Sequence, residues 1–407
     1  MKNTRNLAVG ATLFALIGTL GLVQHWLERT VDAQAAKGEI VMVPRYEVDP
    51  TFPKPLPNHW YQGMTIGVSV DARDHIWIIH RPDSLSPSES AGETNTGTCC
   101  SKAPPVMEFD QQGNLLRHWG GPGQGYDWPN SNHGLLIDFK GNVWLGGNGQ
   151  GNAANNTKTD GQILKFTQDG KFITAFGRKA DTDSNDLTHF NGVATVSFDQ
   201  ATNEAYVADG YFNRRVAVVD VDSGKIKRYW GAYGNKPEDV DTGRYNPDAP
   251  PMQQFRNPVH CAAFSSAAKM VYVCDRVNDR IQVFTAEGKF VKEKMIMPKT
   301  LGTGSTWEIV FSRDPQQKYM FLTDGANMKV WILDCESLEV LSSVGSGGRQ
   351  PGQFYAVHSI ALDSHSNIYT TETFDGRRLQ RFIYKGLQAV QKGTDQGTVW
   401  PQSRSTK

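Results

Sequence analysis

The chain has 407 residues, 42 basic and 42 acidic side chains, and a formal net charge of zero. That balance, with no basic run, gives no electrostatic reason to expect nucleic acid. Forty glycines and twenty prolines punctuate the chain, and past the N-terminus no segment keeps helical periodicity, which excludes a helical bundle and leaves a turn-rich, mostly β fold.

In chain order, Lys2 and Arg5 precede an apolar run over residues 7–23, and Ala33-Gln34-Ala35 offers a small-x-small cleavage site. This is the layout of a secretory signal peptide over residues 1–35. The run is also of borderline length for a retained N-terminal anchor. On either reading the remainder is exported, periplasmic or secreted, with no other membrane association expected. Residues 40–43 follow as a short apolar strand, expected to close the fold beside a C-terminal strand over residues 379–383.

From residue 66 onward one motif recurs six times: an apolar strand, an acidic or polar turn, a second strand rich in β-branched and aromatic residues, and a polar loop. The first strands fall at residues 66–71, 133–138, 191–196, 260–265, 307–312 and 358–363, so their leading positions hold Ile66, His133, Asn191, His260, Trp307 and His358. Second strands fall at 76–79, 143–145, 205–208, 271–274, 320–323 and 368–371, and third strands are clear at 216–219, 281–284, 330–333 and 379–383. Self-similarity at roughly 50 to 70 residues, with short strands and glycine-rich turns, is the signature of a β-propeller with four-stranded blades. Six motifs imply an all-β, six-bladed propeller, expected as one closed unit over residues 36–387, with a polar, loose tail over 388–407.

The leading position carries the chemistry. In a propeller the first strand of each blade lines the central channel, so residues at its start ring the axis on one face. His133, His260 and His358 belong to alternate blades, a third of a turn apart. Three imidazoles aimed inward from there can meet at one ion with metal–nitrogen distances of about 2.0–2.1 Å, leaving a fourth position open for water or substrate. The open three-histidine pattern suits catalytic zinc, although imidazole also suits other divalent transition metals. Taken singly, each histidine has a plainer reading as a hydrogen-bonded core or surface residue.

Antiparallel pairing returns the end of the second strand to the same face, so the residues just after it overlook the same channel mouth. These are Arg81, Tyr211 and Arg276 in blades one, three and four. Two fixed cations and a phenol above a Lewis-acidic ion suit a reaction in which a carboxylate or oxyanion is held. Of the five cysteines, Cys261 and Cys274 lie on adjacent predicted strands, Cys99 and Cys100 are neighbours, and Cys335 stands apart. Export permits disulfides, but their pairing is left open.

The stretches 209–216 and 275–284 and the three histidine-led strands resemble NHL-repeat propellers, and within that group are most similar to peptidyl-α-hydroxyglycine α-amidating lyase, over roughly residues 63–385. The resemblance implies a zinc centre at His133, His260 and His358, an active-site tyrosine at Tyr211, and substrate-facing arginines at Arg81 and Arg276. It implies a substrate with an N-CH(OH)-COOH unit, a small molecule or peptide ending in a carboxylate, split to an amide and glyoxylate by a monomeric enzyme. Two departures follow. The family's third histidine precedes an aspartate that helps bind a structural calcium, whereas Ser359 stands here, which puts the calcium in doubt. Phe212 and Val283 occupy positions where the family's blade disulfides would place cysteines.

Two other readings are carried forward. A non-enzymatic exported propeller would use its faces for protein or glycan recognition, because fold does not settle function. A propeller hydrolase of lactones or esters would hold its metal through carboxylate and amide oxygens, and no ring of that kind occupies the leading position.

Overall fold

The computed structural model describes residues 39–152, 154 and 157–401. The signal peptide or anchor expected over residues 1–35 lies outside them. Among the described residues no helix is long and apolar enough to cross a membrane.

The chain is an all-β, six-bladed propeller with four-stranded antiparallel blades. Each blade runs from the axis outward, as in blade four: Val259–Ser265, Met270–Asp275, Arg280–Thr285 and Phe290–Met295. The six first strands pack side by side around the axis, the last against the first, which closes the ring. The second strands, expected at 76–79 through 368–371, are observed as Ile76–Arg81, Val143–Gly147, Glu204–Asp209, Met270–Asp275, Tyr319–Asp324 and Ile368–Glu372.

The repeated acidic turn has a physical job. Asp71 and Asp138, just past the first strands of blades one and two, each accept the indole N–H of a buried tryptophan six residues on, at 3.2 Å from Trp77 and 2.9 Å from Trp144. In blade six Asp363 accepts the hydroxyl of Tyr369 at 3.1 Å. The same carboxylates cap backbone N–H groups of the turn, so one side chain fixes both the reversal and the aromatic packed between blades. The apolar clusters fill the wedges between neighbouring blades. Val216, Val218, Phe255, Val259 and Phe264 from blades three and four form one.

Closure joins the two ends of the chain, in a different register from the expected one. Ile40–Asp49 forms the outer strand of blade six against the long strand Leu379–Gln391, pairing Ile40 with Gln391 and Asp49 with Arg381. Residues 40–43 therefore face 388–391, while 379–383 meets the end of the closing strand. Part of the tail expected as loose over 388–407 pairs with the propeller, since the long strand runs on to Gln391. Thr394–Asp395 adds a parallel strand to blade five beside Val340–Val344, and the Val48 N–H donates to Val399 O at 2.9 Å. Strand edges left open at blades five and six take up these polar residues through backbone bonds, a demand that side-chain polarity does not reveal.

Cys261 and Cys274 are register partners and form a disulfide with a Cα–Cα distance of 4.8 Å. Cys99 and Cys100 form a vicinal disulfide, and Cys335 is a free buried thiol. The long loop between the second and third strands of blade one crosses to blade six, where Glu89 accepts two bonds from the Arg377 guanidinium at 2.7 Å.

Candidate metal centre

In blades one, two, four and six the sheet breaks register at the leading position of the first strand, whereas in blade three the break lies past Asn191, which precedes the strand, and blade five pairs without one. Irregularities fall between Thr65 and Gly67, His133 and Leu135, Val193 and Val196, Val259 and Cys261, and Val357 and Ser359. A bulge re-aims a side chain, and here it serves the ring of side chains around the axis. Gly134 follows His133 with φ +65°, and a Cβ on it would sit 2.4 Å from Ala194 O. No L side chain fits there without moving that carbonyl.

The sequence-predicted histidines converge. His133, His260 and His358 are buried, at 2%, 2% and 4% exposure, and their candidate ligand nitrogens all lie within 4.8 Å of one another. Ring centroids are 5.3 Å apart for His133 and His260, and 4.9 Å for each with His358. His133 Nδ1–H donates to Ala194 O at 2.8 Å and His260 Nδ1–H to Trp307 O at 2.7 Å. Each bond fixes the tautomer that leaves Nε2 unprotonated and able to accept. His358 differs, because its Nδ1 is buried with no partner and its ring is held edge-on by Trp307 at 5.5 Å.

Burial pushes all three imidazoles well below their usual range, and Arg276 pushes all three, and Arg81 pushes His133 and His358, in the same direction. They are neutral at physiological pH, as metal ligation requires.

Tyr211, just past Glu204–Asp209, is fixed by its backbone N–H donating to Gly192 O at 2.9 Å. Its hydroxyl lies 2.8 Å from His133 Nε2 and 3.2 Å from His260 Nε2. Arg81, at the end of Ile76–Arg81, is oriented by Nε donating to Asn132 O at 3.1 Å and Nη2 to Asn148 Oδ1 at 2.8 Å. Arg276 lies with its guanidinium carbon 4.6 Å from the Trp307 ring and 5.9 Å from Tyr211, and its Nε is buried without a partner. Among the described residues neither guanidinium has a carboxylate within ion-pair distance. Burial lowers the pKa of both, yet arginine keeps its charge, so two unpaired cations overlook three neutral imidazoles.

One residue of the site escaped sequence reasoning. Glu308 reaches in beneath the histidines from blade five, lining the small void they enclose and also the wide channel that opens on the opposite face. Burial raises its carboxyl to about 7. The signal was present: the residue after the leading position is Gly67, Gly134, Gly192, Cys261 and Ser359 in the other blades, and Glu308 in blade five. At Ser359, where the resemblance would place a calcium-binding aspartate, the hydroxyl accepts the Val68 N–H at 3.2 Å. A second carboxylate and histidine group, Asp71, His75 and Glu108, lies together in blade one. Arg73 already fills it, donating to both acids at 2.7 and 3.0 Å.

No family model matches the chain. Among curated proteins it is 27% identical over 241 residues to the peptidylglycine alpha-amidating monooxygenase of Rattus norvegicus, a match that covers 57% of this chain and 22% of that protein. It is 30% identical over 165 residues to the peptidyl-glycine alpha-amidating monooxygenase A of Xenopus laevis, covering 40% and 15%. The match thus spans about a fifth of the rat protein's length. Among solved structures, a protein of unknown function from Bacteroides thetaiotaomicron superposes with a TM-score of 0.50 at 11% identity, over 85% of this chain and 77% of that one. A virginiamycin B lyase from Staphylococcus aureus gives 0.44 at 13% identity, over 85% and 89%.

Proposed function

We propose that the protein is a metal-dependent lyase that splits a carbinolamide, N-CH(OH)-COOH, into an amide and glyoxylate. The observation that carries this reading is the Tyr211 hydroxyl at 2.8 Å from His133 Nε2 and 3.2 Å from His260 Nε2, beside two guanidiniums that lack carboxylate partners among the described residues. His133, His260 and His358 would hold the ion, zinc or another divalent transition metal. When bound, such an ion acts as a Lewis acid that makes a substrate hydroxyl easier to deprotonate.

The chain's own groups supply the rest. Arg276 and Arg81 bind the substrate carboxylate, and each buried guanidinium gains a charge-assisted partner that the free protein lacks. Their pull fixes the carbinol carbon toward the histidines. Tyr211 stands where it can move a proton between the hydroxyl and the leaving nitrogen. The balance is complete without an oxidant: the hydroxyl loses its proton, its oxygen forms the aldehyde C=O of glyoxylate, and the C–N electron pair leaves with nitrogen, which takes up the proton. The physiological substrate is expected to be an acylated small molecule or peptide that ends in a carboxylate, acted on outside the cytoplasm by a monomer.

Incubating the purified protein with an N-acyl-α-hydroxyglycine tests the reading. Glyoxylate and the matching amide in equal amounts support it, and their absence above the uncatalysed rate contradicts it. Acid release from a lactone with no glyoxylate would mark a hydrolase. Neither activity in a metal-loaded protein would leave a binding propeller.

A further inference from the structure

Glu308 bonds or adjoins groups that position each of the three histidines. Its Oε1 accepts the Thr195 hydroxyl at 3.3 Å, and Thr195 follows Ala194, whose carbonyl orients His133. Its Oε2 accepts the Ile360 N–H at 3.2 Å, two residues past His358. Its backbone continues from Trp307, whose carbonyl orients His260. Its N–H donates to Thr323 Oγ1 at 2.9 Å, and that hydroxyl also bonds His358 O at 3.2 Å. One side chain thus ties the carbonyl partner of His133 to the strand of His358, from a position covalently joined to the carbonyl partner of His260.

The charge balance points the same way. A dication held by three neutral imidazoles below Arg81 and Arg276 would carry excess positive charge. Among the described residues that line the void under the histidines, Glu308 is the one carboxylate. Its hydrogen-bond donors are neutral, and no basic side chain pairs with it among the described residues. In the metal-free protein the ionised form of this carboxyl is therefore costly, because a buried charge needs a partner. With a cation above it the same charge becomes favourable.

We propose that Glu308 is the positioning residue of this centre: its carboxylate clasps blade three beside the carbonyl that orients His133 to the blade-six strand that bears His358, and supplies the negative charge that makes the three-histidine site bind a dication tightly. The inference rests on the metal-binding half of the proposed function and not on the identity of the substrate.

The test measures zinc affinity of the full protein, stripped of metal, by competition with a chromophoric chelator, alongside the thermal midpoint of the metal-free form. Glu308→Gln keeps the side-chain shape and removes the charge. The expected result is a metal-free midpoint equal to or above that of the wild type together with zinc affinity weakened by about 10- to 100-fold, the usual range for the loss of an outer partner of a metal site. Unchanged affinity overturns the proposal. So does a wild type that takes up two ions where Glu308→Gln takes up one, since Glu308 would then be a ligand in its own right. If the metal-free amide variant does not fold, Glu308→Asp decides. Affinity within a few-fold of wild type supports the charge, and a loss of tenfold or more overturns it. A wild type that binds zinc but releases no glyoxylate defeats the lyase reading and leaves this inference standing.

Discussion

The guanidinium of Arg276 lies 4.6 Å from the ring centre of Trp307, with its Nε buried and unpartnered. An aromatic face holds the cation in place without neutralising it, so the unpartnered Nε stays free for an anion. Replacing Arg276 by Gln is expected to lower kcat/KM for an N-acyl-α-hydroxyglycine by ~10- to 100-fold, the range for loss of a hydrogen bond to a charged group. With a substrate whose carboxylate is converted to a carboxamide, wild type and variant should be equally slow. Steady-state kinetics on the two substrates checks this, and an equal loss on both would remove the carboxylate from the argument.

The Tyr211 hydroxyl bridges His133 Nε2 and His260 Nε2 and stands outside the candidate ligand set. Tyr211→Phe removes only the hydroxyl and is expected to lower kcat by ~100-fold or more, the lower range of general acid–base catalysis. Metal content, measured by elemental analysis, should stay at the wild-type level. Loss of the metal with the hydroxyl would recast Tyr211 as part of the metal-holding set.

Asp279 gives a stability signature away from the reaction. It sits in the left-handed region with φ 51°, its Oδ1 accepts the Ser305 N–H at 2.8 Å, and its Oδ2 is buried without a partner. Burial raises its carboxyl to about 7. The unfolded chain releases this proton near an ordinary carboxylate pKa of about 3.9. Between those values the folded state binds the extra proton, so this group's contribution to stability declines as pH rises through the window and is lowest above pH 7. Asparagine tolerates the same backbone region and carries no charge. Asp279→Asn should therefore exceed the wild type in stability at pH 8 by on the order of 2 kcal/mol, with the advantage shrinking toward pH 5. Urea denaturation at the two pH values measures it.

The disulfide between Cys261 and Cys274 crosslinks the strand that bears His260 to the strand that leads into Arg276. Replacing both cysteines by Ala is expected to cost about 2–3 kcal/mol of stability, as for a short closed loop. Denaturation with and without reductant checks it, and equal midpoints for wild type and variant under oxidising conditions would contradict it.

The inner architecture was legible because its physics is repetitive. Strands buried on both faces, such as Met320 to Thr323, read as apolar runs, and an aspartate turn follows several of them. The three histidines stood out because a shared repeat position puts them at a shared height on the axis. Outer strands were harder to read: Leu115–Trp119 is mostly exposed, so its residues show little alternation. The order past residue 387 was invisible because backbone pairing carries it, with Thr394 and Asp395 presenting ordinary polar side chains. Glu308 was passed over because a carboxylate inside an inner strand reads as a surface residue until the closed ring shows what lies above it. The roles of Trp307 and Asn148 likewise depend on contacts between blades that no single repeat contains.

The most direct test of the central claim is the metal content of the purified protein against that of His133→Ala. The account expects one transition-metal ion per chain in the wild type and its loss on removal of the single imidazole. A metal-free wild type, or a variant that keeps its ion, would contradict it.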